Sequence, residues 1–535
     1  MKLVSVSEMQ AIERQADAGG LSYAQMMQNA GEGLAKIIHA RFVHQRSKAV
    51  MGLIGSGNNG GDGLVALAWL ARAGWQARAY LLKPRPADDP ALIQLREAGG
   101  VVLAVEDDPQ FSHLDAWLDA SLVLLDAVLG TGIRLPLSGV LADVLAQTAA
   151  FAGRPFVVAV DCPSGVDCDS GQAADECIPA DLTVCMAAVK EGLLRLPAYT
   201  LTGELQVVDI GLPDDLPELL QVKREVLLAK DVRGLLPVRP ADSHKGTFGT
   251  LMAVAGSVNY TGAAYLACKA AYRVGAGLVQ AAVPGPLYEV LAGHLPEAVW
   301  LVLPDEMGVI QAKATELVRK NLERTTALLL GPGWGVEETT GAFLAALLAQ
   351  GNQAGLGFIA RPESRRAKAG NGLPQLVIDA DGLKLLAKLP GWQRQLQPQS
   401  ILTPHPGEMA LLCGLTVAEI QADRLGLAQN FAREWGQVLV LKGAFTVVAS
   451  PDGQTAVVPV ASSALASAGT GDVLAGMIGG LCAQGVQPFD AACAGAWLHA
   501  QTGLLAAVRL GSEAAVIAGD LLEAIPQVLA GLNRA

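Results

Sequence analysis

Ala468-Gly469-Thr470-Gly471-Asp472, followed by Val473-Leu474-Ala475-Gly476-Met477-Ile478-Gly479-Gly480, is the stretch from which the fold is read. Two glycines one residue apart let the backbone approach a ligand closely, and the apolar run after them predicts a buried helix that opens at Asp472. A helix N-terminus there presents free N–H donors and the positive end of the dipole to an anion. The carboxylate among those donors has two readings. It is an N-cap, or it is a base that takes a proton from a hydroxyl as a phosphoryl group arrives.

Working outward, strands alternate with helices, and each strand ends in a loop of unusual chemistry. The strand at 438–441 delivers Lys442-Gly443-Ala444-Phe445-Thr446, a cation and a glycine suited to phosphates and a ribose. The strand at 400–402 leads into Thr403-Pro404-His405-Pro406-Gly407-Glu408, where two prolines fix the backbone direction of His405 and keep it out of a helix interior. Strands at 250–255, 327–330 and 375–378 end at Gly256, at Gly331-Pro332-Gly333 and at Asp379-Ala380-Asp381. Residues 351–373, with Arg361, Arg365, Arg366 and Lys368, read as an exposed insertion.

The first half has its own alternation. Two amphipathic helices, the first capped by Ser7, precede a strand at 49–54 that enters Gly55-Ser56-Gly57-Asn58-Asn59-Gly60-Gly61-Asp62-Gly63, with a helix from Leu64. The glycines at 55, 57 and 60 satisfy G-x-G-x-x-G in the right context. The next strand, at 76–82, ends at Lys83 with no acid for a ribose, which weakens the ordinary dinucleotide reading but not phosphate binding, and the lack of a Gly-Lys-Ser/Thr ending excludes a Walker loop. Strands at 121–125 and 156–160 end at Asp126, with Gly130-Thr131-Gly132-Ile133-Arg134-Leu135-Pro136 beyond it, and at Asp161-Cys162-Pro163-Ser164. Further strands are read at 182–187 and 205–210. In a parallel sheet such loops gather on one edge. There Asn59, Asp126 and Asp161 would converge and, together with Ser164, offer hard oxygens to a monovalent or divalent cation, with one carboxylate left for proton transfer. The break at Leu212-Pro213 and the charged Lys223-Arg224-Glu225 set a boundary near 220, giving domains at 1–220 and 221–535.

Composition agrees with two large cores. Of 535 residues, 51% are hydrophobic and 17% charged, which suits compact α/β layers. A net charge of −12 leaves no basic footprint and argues against nucleic acid or an anionic membrane as partners. Eight cysteines without a C-x-x-C pair predict reduced thiols and a cytoplasmic protein with no zinc site. The N-terminus has no apolar signal core, and the apolar runs at 342–348 and 504–508 are short enough to be core helices.

The second half resembles the ribokinase-like superfamily through Gly469-Thr470-Gly471-Asp472. With Lys245-Gly246-Thr247, Gly331-Pro332-Gly333, Thr403 to Glu408 and Lys442-Gly443-Ala444, it is similar to the ADP-dependent NAD(P)H-hydrate dehydratases. The first half resembles the NAD(P)H-hydrate epimerases through Gly57 to Gly63, Asp126 with Gly130-Thr131-Gly132, and Asp161 to Gly165. The resemblance implies two three-layer αβα domains, the first Rossmann-like and the second ribokinase-like. It implies an enzyme that interconverts the R and S forms of hydrated NADH or NADPH and dehydrates the S form at the expense of ADP, giving AMP and phosphate. Carried over residue by residue, it implies that Asn58, Asn59, Gly60, Gly61, Asp62, the segment from Gly130 to Pro136, and Asp161 hold the hydrated dinucleotide, with a potassium ion on Asn59, Asp126 and Ser164. In the second half it implies hydrate contacts from Ala263, Gly333, His405 and Asp472. ADP falls to Lys442, Gly443, Ala444, Phe445, Thr446 and Gly471, with Mg2+ expected beside it. Asp161 and Asp472 are the implied catalytic residues, and a homo-oligomer is expected. Two rival readings are a small-molecule kinase in the second half and a non-catalytic nucleotide-binding module in the first.

Overall fold

A computed structural model describes residues 1–349 and 372–534, so that all of the basic insertion except Gly372 and Leu373 lies outside the described residues. The chain divides into two compact units, Met1–Glu225 and Val226–Ala535.

The first unit is built on a seven-stranded sheet in the order Val101–Ala104, Gln76–Leu81, Ala49–Ile54, Val123–Ala127, Phe156–Val160, Leu182–Met186, Glu204–Val208. Every pairing in it is parallel. The winding reverses between Ala49–Ile54 and Val123–Ala127, the doubly wound order of a Rossmann-like sheet, and ligands bind at such a reversal. Ala49–Ile54 is buried throughout because both faces are covered. Val50 and Ile54 join the core under the helices Val6–Ala18, Tyr23–Arg41 and Asn58–Arg72, whereas Met51 and Leu53 join a second core with Leu114, Leu118 and Leu145.

Three local expectations are corrected here. The first helix is capped by Ser5, in a reciprocal box with Glu8, rather than by Ser7. The helix expected from Leu64 begins at Asn58, so Gly60, Gly61 and Gly63 are helical. Close packing explains them: a Cβ on Gly61 would lie 2.5 Å from Met27 Sδ, and one on Gly60 would lie 2.1 Å from the Gly55 carbonyl. The strand expected at 121–125 runs from Val123 to Ala127, because the ladder continues until Gly55 N–H donates to the Ala127 carbonyl at 3.0 Å. Asp126 is therefore inside a strand.

The second unit carries a ten-stranded sheet in the order Arg224–Val226, Thr455–Val457, Val447–Ala449, Val438–Leu441, Ile401–Leu402, Gln375–Ile378, Ala327–Leu330, Thr250–Val254, Leu278–Pro284, Val299–Leu303. Its pairings are parallel from Val438–Leu441 to Val299–Leu303 and antiparallel through Val447–Ala449. One face packs Leu251, Ala253 and Leu329 against the helices Thr261–Arg273, Thr470–Ala483 and Pro488–Leu510. The alternate residues Met252, Val254 and Leu330 are also fully buried, so the opposite face is covered as well. Small residues bring two of these helices together: a Cβ on Gly476 would stand 2.2 Å from the Ala267 carbonyl. Pro488–Leu510 is the one described helix long and apolar enough to cross a membrane by length and composition, and 72% of its most apolar window lies buried in this core. No disulfide joins the cysteines; seven are buried and Cys413 is half-buried.

Candidate active sites

At the winding reversal of the first unit, a cavity of about 400 Å³ opens between the glycine turn and the ends of Val123–Ala127 and Phe156–Val160. Asn58, Asn59, Asp62, Gly130, Thr131, Gly132 and Asp161 all line it. Gly60 and Gly61 are packed behind that wall. Ile133, Arg134, Leu135 and Pro136 are not in the lining, because the chain turns outward after Gly132 and leaves Arg134 to Pro136 exposed.

Asp161 holds a left-handed backbone, φ 67°, at the strand end. Its Oδ1 accepts from Met186 N–H at 2.9 Å and from the Lys190 ammonium. Lys190 is enclosed, 1% exposed, and also donates to the carbonyls of Met186 at 3.1 Å and Ala188 at 3.2 Å. Sequence reasoning missed Lys190 and Glu13, which line the same cavity. A lysine directly after the largely apolar run Leu182 to Val189 is the signal that was available, since a buried cation needs a partner. Glu13 sits between the buried Ile12 and Ala16 and carries no comparable signal. Burial raises the Asp62 carboxyl well above the usual range, with Asp161 and Glu13 adding to the push and Lys190 opposing it.

Asp126 is wholly buried, and its Oδ2 accepts from Ser164 N–H at 2.7 Å. Its Oδ1 is buried without a hydrogen-bond partner, and burial pushes the carboxyl up to about 6. Ser164 Oγ accepts from Leu129 N–H at 2.8 Å, and Asn59 Nδ2 donates to the Leu129 carbonyl at 2.9 Å. The three residues thus converge on one loop, with an orphaned carboxylate oxygen among them.

In the second unit the helix Thr470–Ala483 is preceded by Gly469 at φ 88°, which supplies no side-chain cap. Asp472 is the third helical residue, so the N-cap reading and the helix start at Asp472 are both corrected. Only glycine suits position 469: besides its left-handed backbone, a Cβ would meet Leu266 Cδ1 at 2.7 Å. Burial pushes Asp472 up to about 7, Asp379 adds to the push, and Lys442 opposes it. Lys442 Nζ stands 2.6 Å from Asp379 Oδ1 and 3.7 Å from Glu408 Oε2. Thr403 Oγ1 donates to the same Asp379 oxygen at 2.7 Å. A Cβ on Gly471 would lie 3.5 Å from Lys442 Nζ, which brings the ammonium against the helix N-terminus.

Beside this cluster a cavity of about 400 Å³ is lined by His405, Lys442, Gly443, Ala444, Thr446 and Gly471. Phe445 is not in the lining: its side chain is buried and its N–H donates to the Val460 carbonyl at 2.9 Å. His405 caps the helix Pro406–Cys413, its Nδ1 accepting from Gly407 N–H at 3.0 Å, while Nε2 faces Glu408 Oε1 at 3.4 Å. Ala263 and Gly333 lie outside this cavity but against each other, since a Cβ on Gly333 would be 2.6 Å from Ala263 Cβ. His499, which the sequence reading missed, lines the cavity with Nε2 2.9 Å from the Thr470 carbonyl. Burial lowers it to about 4. A single histidine in the apolar helix Pro488–Leu510 was its only signal.

A doubly wound unit with a polar glycine turn, joined in one chain to a unit that sets an aspartate among helix N-terminal amides beside a lysine, defines a two-site enzyme of nucleotide chemistry. The family described as NAD(P)H-hydrate dehydratase matches residues 251–527, and that described as YjeF-related protein N-terminus matches residues 23–192. The chain belongs to the bifunctional NAD(P)H-hydrate repair enzymes, which unite an epimerase with a nucleotide-dependent dehydratase. It is 38% identical over 544 residues to the bifunctional NAD(P)H-hydrate repair enzyme of Moorella thermoacetica, covering 100% of this chain and 97% of that one. It is 31% identical over 514 residues to that of Escherichia coli, covering 96% and 91%. Among solved structures, the ADP/ATP-dependent NAD(P)H-hydrate dehydratase from Bacillus subtilis co-crystallized with ATP/Mg2+ is 30% identical, covering 58% of this chain and 98% of that one, with a TM-score of 0.46.

Proposed function

We propose that the first unit is the epimerase and the second the dehydratase, with Asp161 and Asp472 as their respective catalytic groups. The observation that carries the reading is the Asp472 carboxylate, held in the first turn of Thr470–Ala483 beside Lys442 and pushed up to about 7. A base is most useful with a pKa near the working pH, and amide donors at a helix N-terminus favour transferring phosphoryl charge.

In this reading ADP lies on Lys442, Gly443, Ala444, Thr446 and Gly471. Asp472 takes the proton of the ring hydroxyl as its oxygen attacks the terminal phosphorus, and AMP departs. Phosphate is a better leaving group than hydroxide, so the phosphorylated carbon then loses it, the neighbouring carbon loses a proton, and the dihydronicotinamide is restored. Mg2+, present in the Bacillus subtilis co-crystals, would neutralise the nucleotide phosphates. In the first unit the orphaned Asp126 oxygen, with Ser164 and Asn59, forms an oxygen-rich donor set that fits potassium and would steady the loop holding the substrate. The thiols, none in a disulfide, support a cytoplasmic setting.

The test assays Asp472→Asn and Asp161→Asn on separated R and S hydrates. Asp472→Asn is expected to stop dehydration and spare epimerisation, and Asp161→Asn to do the reverse. Equal loss of both activities in either variant would contradict the assignment. Release of free phosphate with recovery of reduced-nicotinamide absorbance separates repair from a kinase that keeps a phosphorylated product.

A further inference from the structure

Resting on the epimerase reading of the first unit, we propose that Asp62 is the second catalytic carboxyl of that reaction, protonating the departing hydroxyl while Asp161 acts as base, and that Lys190 is the positioning residue that orients Asp161.

The two carboxyls reach one cavity from different elements, Asp62 from the helix Asn58–Arg72 and Asp161 from the end of Phe156–Val160. Their surroundings differ in kind. Asp161 Oδ1 receives an ammonium and an amide N–H, whereas no described residue hydrogen-bonds the Asp62 carboxyl, although it is only 9% exposed. All three protons of Lys190 are spent, on Asp161 and on the carbonyls of Met186 and Ala188, so it keeps none for a substrate. Its role is to fix the carboxylate that it pairs with. Two carboxyls in one pocket with contrasting environments divide into an acid and a base. The raised Asp62 carboxyl agrees with the acid role. The other charged groups lining the cavity are Glu13, Lys83, Asp161 and Lys190.

The chemistry follows from the substrate. Water adds to the enamine of a dihydronicotinamide so that the hydroxyl sits on the carbon bonded to the ring nitrogen. The nitrogen lone pair then forms a C=N bond as the C–O bond breaks, and the oxygen leaves as water with the proton of Asp62. Water returns to the opposite face of the ring, its oxygen bonding the same carbon, the C=N electrons returning to nitrogen, and its proton passing to Asp161. Transfer of that proton through cavity water from Asp161 to Asp62 closes the cycle with no net change in protons or oxidation state.

The experiment uses the full chain with hydrated NADH and no ADP, following conversion of one purified epimer into the other. Asp62→Asn is expected to lower kcat by about 10² or more, with a smaller change in KM, and to remove the alkaline limb of the kcat–pH profile. Lys190→Met is expected to lower kcat and to move the acid limb to higher pH, a displacement that a merely structural lysine would not produce. Asp62→Asn with a kcat within about threefold of the parent and an unchanged profile would overturn the inference. If Asp62→Asn fails to fold, Asp62→Glu decides: a displaced alkaline limb supports the acid role and an unmoved one overturns it. A parent chain that does not interconvert the epimers, or an Asp161→Asn variant that does so at full rate, overturns the epimerase reading itself. An inert Asp161→Asn beside a fully active Asp62→Asn overturns only this inference.

Discussion

Asp472 and Asp62 are carboxyls whose burial sets the proton they hold, and each ties stability to pH. The folded pKa of Asp472, about 7, lies above the ordinary 3.8. The folded unit therefore binds an extra proton between those values. Its contribution to stability is complete below about pH 4 and is lost as pH rises through about 7. With Asp472 as the proposed base, dehydration would need its ionised form, so kcat/KM is expected to rise through about pH 7, and Asp472→Asn to cost about 10² to 10⁴ in rate. The same variant should melt higher than the parent at pH 8 and show little difference at pH 4, a contrast that calorimetry at the two pH values checks. A larger gain at pH 4 would reverse the sign assigned here. At this scale the sequence was most legible where a residue's type and its place at the end of an element coincide, after a strand for Asp161 and Lys442 and in the first turn of a helix for Asp472. It was least legible where chemistry depends on a distant partner. Lys190 acquires its meaning from Asp161, 29 positions away, and His499 from the Thr470 carbonyl, also 29 positions away.

Among elements, the helix Thr470–Ala483 sets its N-terminus beside Lys442 and is also a packing face. Its glycines serve the second role as much as the first. A side chain at Gly476 would press on the Ala267 carbonyl, so Gly476→Ala is expected to cost about 1–3 kcal/mol by urea denaturation despite the better helix propensity of alanine. A neutral or stabilising result would show that the helix Thr261–Arg273 can move away. In the first unit Gly55→Ala would drive a Cβ to 1.9 Å from the Val128 carbonyl, at the turn that forms the cavity wall. Loss of epimerisation with dehydration intact is expected from paired assays of that variant. Element order and the strand-end loops could be read from alternation of apolar runs, since buried parallel strands are short and give way to glycine or polar residues, as at Gly55, Asp161, Gly331 and Lys442. Boundaries could not. A glycine cluster reads as a loop, yet Asn58–Arg72 takes its glycines into a helix because Met27 and Gly55 leave no room for a Cβ.

For the molecule as a whole, two units with separate cores and separate cavities predict separable behaviour. ADP should raise the melting transition of the second unit, by about 2.7 kcal/mol at a hundredfold excess over Kd, and leave that of the first unchanged. Differential scanning calorimetry with and without ADP reads this, and an equal shift in both transitions would contradict it. Mixing full-length Asp161→Asn with full-length Asp472→Asn is expected to restore complete consumption of a mixed R and S hydrate, because each chain supplies the site the other lacks. Consumption that stalls at the S fraction would show that an epimer formed on one chain does not reach another. The division into two units was legible because proline and charge interrupt the α/β rhythm near residue 220, although the contact division falls at Glu225 and Val226.

The uneven burial of the thiols has a practical outcome. Cys413 ends the helix that His405 begins, and it alone among the eight cysteine thiols is not buried. A maleimide dye applied to the unmodified chain should therefore attach at one place, about two helical turns from His405 in the cavity lining of the second unit. The native protein would then report nucleotide arrival by fluorescence, with no residue replaced to make it do so.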